Sequence, residues 1–122
     1  MHKFRELKVW QRSLAFTLVV YEESKRFPAD ERYGLYSQVR RAACGIPMNI
    51  AEGAGCGSNK DFCRFLSIAL RQGYELITAT EIARGLGYWQ NELCDRQNKE
   101  ADEIIAMTVG LMKSLGWPFD DK

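Results

Sequence analysis

The stretch that decides the fold reads Arg40-Arg41-Ala42-Ala43-Cys44-Gly45-Ile46-Pro47-Met48-Asn49-Ile50-Ala51-Glu52-Gly53. Its small and apolar residues recur every three or four positions, which is the period of one face of a helix. Pro47 falls inside this pattern. A proline there offers no N–H to the carbonyl one turn earlier, and its ring crowds that carbonyl. The stretch therefore predicts a helix with a kink near Pro47, and the carbonyl of Ala43 needs another partner.

Four polar residues in or near this helix are predicted to form a structural polar network that fixes helix register: Arg41, Asn49, Glu52 and Glu75. Asn49 lies on the apolar face, where a buried amide must be hydrogen-bonded. Arg41 needs a carboxylate partner, and both Glu52 and Glu75 are candidates. The alternative interpretation is a ligand or partner site at the kink.

Three further segments carry a helical period, and turn residues separate them. Phe27-Pro28 and two glycine-rich runs interrupt the pattern, and Asp30 and Ser58 are predicted N-caps. We predict helices over about 4–26, 31–53, 58–84 and 91–115. The predicted fold is all-α, an antiparallel up-down four-helix bundle with a proline-kinked second helix, forming a single domain over residues 1–122.

The first helix carries more apolar surface than a lone bundle buries. Two stripes run along it, one through Leu7, Trp10, Leu14, Thr17, Tyr21 and Ser24 and a second through Val9, Phe16 and Val20. One apolar face is expected to pack inside the monomer. An extra one is typical of an interface with another protein chain.

The charge is balanced in total but uneven along the chain. The 122 residues have a formal net charge of +1. Residues 1–84 carry 13 Lys and Arg against 9 Asp and Glu, whereas residues 85–122 carry 4 against 7. This asymmetry suits head-to-tail self-association or a modest polyanion site. Lys60, Arg64 and Arg71 share an outward stripe, which can follow a phosphate backbone or be an ordinary solvated face.

No constellation of catalytic residues is present in the sequence. His2 is the only histidine, and the four cysteines form no C-x-x-C pair, so we predict no catalytic site, no metal and no cofactor. Cys44 and Cys63 are predicted core residues. No apolar run has the length of a membrane helix, and the N-terminus lacks a signal core, so we expect a cytoplasmic protein without membrane contacts.

The central stretch also resembles a family, the small bacterial proteins called 23S ribosomal RNA intervening-sequence proteins. The family pattern reads approximately Gln-x-x-Arg-Ala-x-x-Ser-Ile-Pro-x-Asn-Ile-Ala-Glu-Gly. The matching residues here are Gln38, Arg41, Ala42, Ile46, Pro47, Asn49, Ile50, Ala51, Glu52 and Gly53. Gly45 replaces the usual serine, so a role of that hydroxyl does not carry over. The resemblance extends from Phe4 to Leu115.

The resemblance implies an antiparallel four-helix bundle that assembles as a cyclic homo-oligomer, typically a pentamer. Some members are encoded inside insertions in ribosomal RNA genes. A related group is the accessory protein of diversity-generating retroelements, which binds nucleic acid and a reverse transcriptase. By this likeness we expect a non-catalytic oligomeric adaptor that binds RNA or a ribonucleoprotein. The expected phosphate contacts are Lys8, Arg12, Arg40, Lys60, Arg64 and Arg71. The alternative is a protein-only scaffold without nucleic-acid binding.

Overall fold

The computed structural model describes residues 1–119, and every regular element in that range is helical. The four α-helices are α1 Lys8–Ser24, α2 Leu35–Ala54, α3 Asn59–Gly85 and α4 Asn91–Ser114. Two short 3-10 turns, Phe4–Glu6 and Ala29–Glu31, precede α1 and α2. The predicted all-α fold with four helices is confirmed, and the last three residues of the predicted domain lie outside the described range.

The helices form a ring in chain order, in which each helix contacts the next and α4 returns to α1. The contact between α2 and α3 is the most extensive, and that between α1 and α4 is the least. Contacting residues of α1 and α2 run in opposite order along the two helices, since Thr17 bonds Ala43 and Ser24 bonds Arg40. The antiparallel arrangement of the whole bundle stays a prediction. The N–H of His2 donates to the carbonyl of Ala54 over 2.8 Å, while Arg40 reaches Ser24 at the other end of α1.

The helix boundaries differ most from the predicted ones at the starts of α1 and α2, which each begin four residues later than predicted. Ser58 accepts the N–H of Asp61 over 3.1 Å, so that predicted N-cap is confirmed. The prediction of Asp30 as an N-cap is wrong, because Asp30 lies in a 3-10 turn and α2 begins only at Leu35. Glu31 instead accepts the N–H of Leu35 through Oε1 over 3.0 Å. The backbone N–H of Leu35, in the first turn of α2, therefore has its acceptor outside the helix.

The core draws buried side chains from all four helices and from the α3–α4 connection: Val20, Val39, Ile46, Ile50, Phe62, Leu66, Leu76, Trp89, Ile104 and Met112. The predicted face of the central helix is the face that is buried. On α1, the stripe through Val9, Phe16 and Val20 is buried. Thr17 and Ser24 of the other stripe are buried as well, whereas its members Leu14 and Tyr21 are exposed. The bundle therefore leaves one apolar face of α1 on its surface.

The carbonyl that Pro47 leaves without a helical donor finds its partner on α1. Helix α2 continues through Pro47 from Leu35 to Ala54, and the kink itself stays a prediction. The hydroxyl of Thr17 lies 3.0 Å from the carbonyl oxygen of Ala43 and 2.7 Å from that of Ser13 in its own helix. One hydroxyl proton is shared between two acceptors. The proline is therefore tolerated through a side chain of the neighbouring helix.

We expect the substitution Thr17→Val to lower the free energy of unfolding by about 1 kcal/mol, because it leaves the buried Ala43 carbonyl unpaired. Urea denaturation monitored by circular dichroism measures this change. The matched control is Thr78→Val. The Thr78 hydroxyl is exposed and bonds only the carbonyl of Tyr74 in its own helix, over 2.9 Å. Equal losses in the two variants would show that the contact between the helices contributes nothing.

Candidate nucleic-acid interface

One cavity of the molecule is lined by arginine and tyrosine side chains. It lies where the end of α1, the segment before α2 and the first turns of α2 meet, and its volume is about 460 Å³. The residues that line it are Tyr21, Arg32, Tyr33, Tyr36, Ser37, Arg40, Arg41 and Cys44. We call it the arginine–tyrosine pocket. Among residues 1–119, no carboxylate belongs to this lining, so its three guanidinium groups give the cavity a positive charge.

Arg40 is the most constrained of the three arginines. Its guanidinium carbon lies 4.0 Å from the ring centroid of Tyr36 and 4.4 Å from that of Tyr21. Its Nε donates to Ser24 Oγ, and its Nη2 donates to the Tyr21 carbonyl, each over 2.9 Å. The Tyr21 carbonyl belongs to the last turn of α1, where the helix dipole favours a cation. Arg40 therefore ties α2 to α1 and holds a fixed positive charge in the pocket.

Arg32, Tyr33 and Arg41 form the open side of the pocket. Tyr33 is 90% exposed, and the Arg32 guanidinium lies 5.8 Å from its ring centroid. Arg41 donates to the side-chain oxygen of Gln38 over 3.3 Å. In the part of the chain that the structure describes, neither arginine forms an ion pair with a carboxylate. Both guanidinium groups can therefore accept an anion, and the Tyr33 ring offers a flat face for stacking.

Tyr21 and Cys44 meet at the inner wall of the pocket. The Tyr21 hydroxyl lies 3.1 Å from the Cys44 sulfur, and this hydrogen bond, assisted by burial, raises the pKa of Tyr21. The phenol is therefore neutral at physiological pH and adds no negative charge to the pocket. Cys44 is half-buried, so its assignment to the core was wrong, whereas Cys63 is buried as predicted.

Glu31 anchors the segment that carries Arg32 and Tyr33. Its Oε1 accepts the N–H of Leu35, and its Oε2 accepts the hydroxyl of Tyr88 over 2.9 Å. These two hydrogen bonds lower the pKa of Glu31, and the same contact raises the pKa of Tyr88. The carboxylate that lies nearest to Arg32 in sequence is thus engaged by other donors, and it fastens the segment to the α3–α4 connection.

Of the six predicted phosphate-contact residues, the pocket contains only Arg40. Arg12 lies between α1 and α4, where it pairs with Glu100 over 2.6 Å and also with Glu103. Hydrogen bonds to these two carboxylates raise the pKa of Arg12 further. Its charge is thus neutralised within the chain, and the residue links the two helices that contact each other least.

The remaining basic residues of that set lie elsewhere on the surface. Lys60, Arg64 and Arg71 are exposed along α3, and Lys8 is exposed at the start of α1. Arg64 lies 3.5 Å from the carboxylate of Asp61. These side chains are accessible, but none of them lies at the arginine–tyrosine pocket. The stripe on α3 remains a prediction.

The predicted polar network does not form within residues 1–119, where no side-chain hydrogen bond or ion pair joins two of its four members. Arg41 is at the pocket with Gln38, while Glu52 and Glu75 are exposed and pair with neither Arg41 nor Asn49. Asn49 is half-buried and donates to the carbonyl of Gly45 in its own helix over 2.7 Å. The small residues beside Arg41 occupy the buried face of α2, so Arg41 turns outward.

Six residues of the pocket belong to no site predicted from the sequence: Tyr21, Arg32, Tyr33, Tyr36, Ser37 and Cys44. Tyr36 and Arg40 are one helical turn apart, which is a spacing that stacks an arginine on a tyrosine. Arg32 and Tyr33 are adjacent in a segment expected to be helical. Only the observed 3-10 turn and late start of α2 place them at the same cavity.

Neither a metal site nor a membrane-spanning helix is present among the described residues. Residues 1–119 contain no group of three or more His, Cys, Asp or Glu side chains placed to hold a metal ion. Across the same range, no helix combines the length and apolar character needed to cross a membrane.

Comparison with known proteins agrees with this architecture. A solved structure that is similar is that of a protein of unknown function from the S23 ribosomal protein family of Bacteroides thetaiotaomicron. The alignment covers 86% of this chain and 98% of that chain, with a TM-score of 0.79 and 25% sequence identity. Comparison with curated protein sequences gives no significant match. The family model described as 23S rRNA-intervening sequence protein matches residues 5–110, and the chain therefore belongs to that family.

Proposed function

We propose that this protein is a non-catalytic, oligomeric adaptor that binds single-stranded RNA through the arginine–tyrosine pocket. The observation that carries the proposal is the composition of this cavity. Three arginines and three tyrosines line about 460 Å³, and no carboxylate of the described part of the chain belongs to the lining. Proteins that bind single strands combine positive charge for the backbone with aromatic rings on which bases stack.

Different residues of the pocket can contact the bases and the phosphates of the RNA. The exposed Tyr33 ring accepts an unpaired base, since stacking of a base on an aromatic side chain contributes about 1–3 kcal/mol. Arg32 and Arg41 contact phosphate, because a guanidinium donates two parallel hydrogen bonds to a phosphate group. Arg40 positions the aromatic wall through its contacts with Tyr21 and Tyr36. None of these contacts reads a base edge, so the binding is expected to be insensitive to sequence.

Self-association would strengthen the adaptor role, because several copies of one modest pocket could bind the same RNA together. The exposed apolar face of α1 includes Leu18, which is 66% exposed, and Met48 on α2 is 59% exposed. Exposed apolar residues of this kind favour an interface between copies of the chain. Several pockets on one oligomer would increase the affinity for a long RNA without new contacts. The apolar face equally favours the second candidate, a protein-only oligomeric scaffold.

The test compares two charge-reversal variants in fluorescence anisotropy with a single-stranded RNA. Arg32→Glu with Arg41→Glu alters the pocket, and Arg64→Glu with Arg71→Glu alters the stripe on α3 by the same change in charge. All four side chains are exposed, so both variants are expected to fold. We expect the pocket variant to lose at least about tenfold more affinity, because it loses close phosphate contacts in addition to net charge.

Each other outcome has a definite meaning. Equal losses would indicate non-specific attraction to net charge, and a larger loss in the α3 variant would place the interface on α3. Absence of binding by the unaltered protein near 0.15 M salt would reject RNA binding and favour the protein-only scaffold. Light scattering on the same samples tests oligomerisation, and a monomeric mass would contradict both candidates.

A further inference from the structure

A second cavity lies between α1 and α4, away from the arginine–tyrosine pocket. Its volume is about 300 Å³, and the two cavities share no lining residue. From α1 it is lined by Ala15, Phe16, Val19 and Glu23, and from α4 by Leu93, Arg96, Gln97 and Glu100. We call it the α1–α4 cavity. It lies between the two neighbouring helices of the ring whose contact is least extensive.

Gln97 distinguishes this cavity from the rest of the interior. The residue is only 3% exposed, and neither its amide nitrogen nor its amide oxygen has a hydrogen-bond partner among the described residues. The other buried polar residues all donate a hydroxyl proton to a carbonyl: Ser13, Thr17, Ser24, Thr80 and Thr108. An unpaired buried amide destabilises a fold, and a methionine of similar size would not. Gln97 is therefore not explained by packing.

The walls and the rim define what the cavity can accept. Phe16, Val19 and Leu93 provide apolar surface for the body of a ligand. At the rim, Glu100 pairs with Arg12, and Glu23 lies 3.2 Å from Arg26. Arg96 is the only arginine of the lining, beside these two carboxylates. The rim thus has no excess of positive charge, in contrast to the arginine–tyrosine pocket, and a polyanion gains nothing there.

We propose that the α1–α4 cavity binds a neutral small molecule that has an apolar body and an amide or lactam edge. A primary amide and the Gln97 side chain are complementary, because each offers one carbonyl acceptor and N–H donors that can pair side by side. The apolar body occupies the space beside Phe16 and Leu93. Binding would satisfy both unpaired atoms of Gln97, which a purely apolar molecule leaves unpaired.

The experiment uses benzamide as the probe and toluene as its apolar control, each titrated into the full-length, isotope-labelled protein. Nuclear magnetic resonance follows the Gln97 side-chain amide and the methyl groups of Val19 and Leu93. We expect a saturable benzamide shift in these signals. In Gln97→Met, benzamide affinity should fall by about tenfold or more, because two hydrogen bonds are lost. Toluene affinity should stay within about twofold, since the apolar walls are unchanged.

Toluene binding to Gln97→Met also shows that the variant is folded and retains the cavity. If benzamide binds the variant and the unaltered protein equally well, amide recognition by Gln97 is wrong. If neither probe shifts the signals of the cavity up to its solubility limit, the cavity is not a ligand site. Shifts confined to residues of the arginine–tyrosine pocket would overturn the proposal as well. None of these outcomes depends on whether the protein binds RNA.

Discussion

Replacing Trp89 with alanine is expected to lower the free energy of unfolding by about 4 kcal/mol, the largest effect of any single substitution considered for this chain. Trp89 lies in the α3–α4 connection and is only 2% exposed. Its ring centroid lies 4.7 Å from that of Phe27, and its indole N–H donates to the carbonyl of Glu23 over 2.9 Å. The substitution therefore removes an aromatic contact and leaves a cavity. It also leaves the Glu23 carbonyl, in the last turn of α1, without its hydrogen-bond donor.

Thermal and urea unfolding of Trp89→Ala would measure this loss, with Leu86→Ala as the matched control. Leu86 belongs to the same connection but is exposed, so its truncation should change stability by less than about 0.5 kcal/mol. Trp89→Phe separates the two contributions, because it keeps an aromatic ring and removes the N–H donor. A loss in Trp89→Ala no larger than that in Leu86→Ala would mean that the connection does not anchor α1.

Replacing Gly53 with alanine is expected to destabilise the protein by about 2 kcal/mol, although alanine is the better helix former. A Cβ atom at Gly53 would lie 2.8 Å from the Phe65 Cβ and 3.0 Å from the Phe62 carbonyl oxygen. Both atoms are fixed to the backbone of α3, so no side-chain rotation relieves the contact. The substitution would force α2 and α3 apart, and these two helices share the most extensive contact in the ring. This steric cost exceeds the gain in helix propensity of about 1 kcal/mol.

The matched control for Gly53 is Gly110→Ala in α4, where a Cβ would meet nothing within 4 Å. There the propensity acts alone, and we expect a stabilisation of about 1 kcal/mol. The two substitutions are chemically identical, so their opposite signs isolate the helix contact. Urea denaturation of both variants decides the matter. A stabilised Gly53→Ala protein would show that α2 and α3 tolerate a larger separation.

Of the residues Trp89 and Gly53, only Trp89 supports the arginine–tyrosine pocket, and it does so indirectly. Trp89 bonds the carbonyl of Glu23 in the last turn of α1, and Arg40 bonds the carbonyl of Tyr21 in that same turn. Weakening the anchor at Trp89 is therefore expected to loosen the turn against which Arg40 is placed. Gly53 acts at the other end of α2, so its substitution should affect stability more than RNA binding.

The sequence predicted the helices well, because helical periodicity is a local property. The buried face of the central helix, the Ser58 cap and the end of α4 within one residue all follow from residues that are close in the chain. The need for a new partner at Ala43 also followed from Pro47 alone. The start of α2 was not predicted correctly. Glu31 accepts hydrogen bonds from the Leu35 N–H and from the Tyr88 hydroxyl, and Tyr88 is distant in the sequence.

The residues of the candidate site were predicted less well, because charge and polarity do not reveal which side chains meet. Arg12 resembled a free cation, but α4 brings Glu100 and Glu103 against it. Arg41 resembled a member of a buried network, but the small residues beside it take the buried face, and it turns to the pocket.

The amino-acid sequence by itself determined that this protein is a four-helix chain of the 23S rRNA-intervening sequence family. The helix period, the caps and the Pro47 motif all depend on residues that are close together in the chain. Only the tertiary structure decided that three arginines and three tyrosines from three segments share one cavity. It also decided that Gln97 is buried between α1 and α4 with no hydrogen-bond partner for its side chain among residues 1–119. Both features depend on how separate helices pack, and packing brings together residues that no local pattern connects.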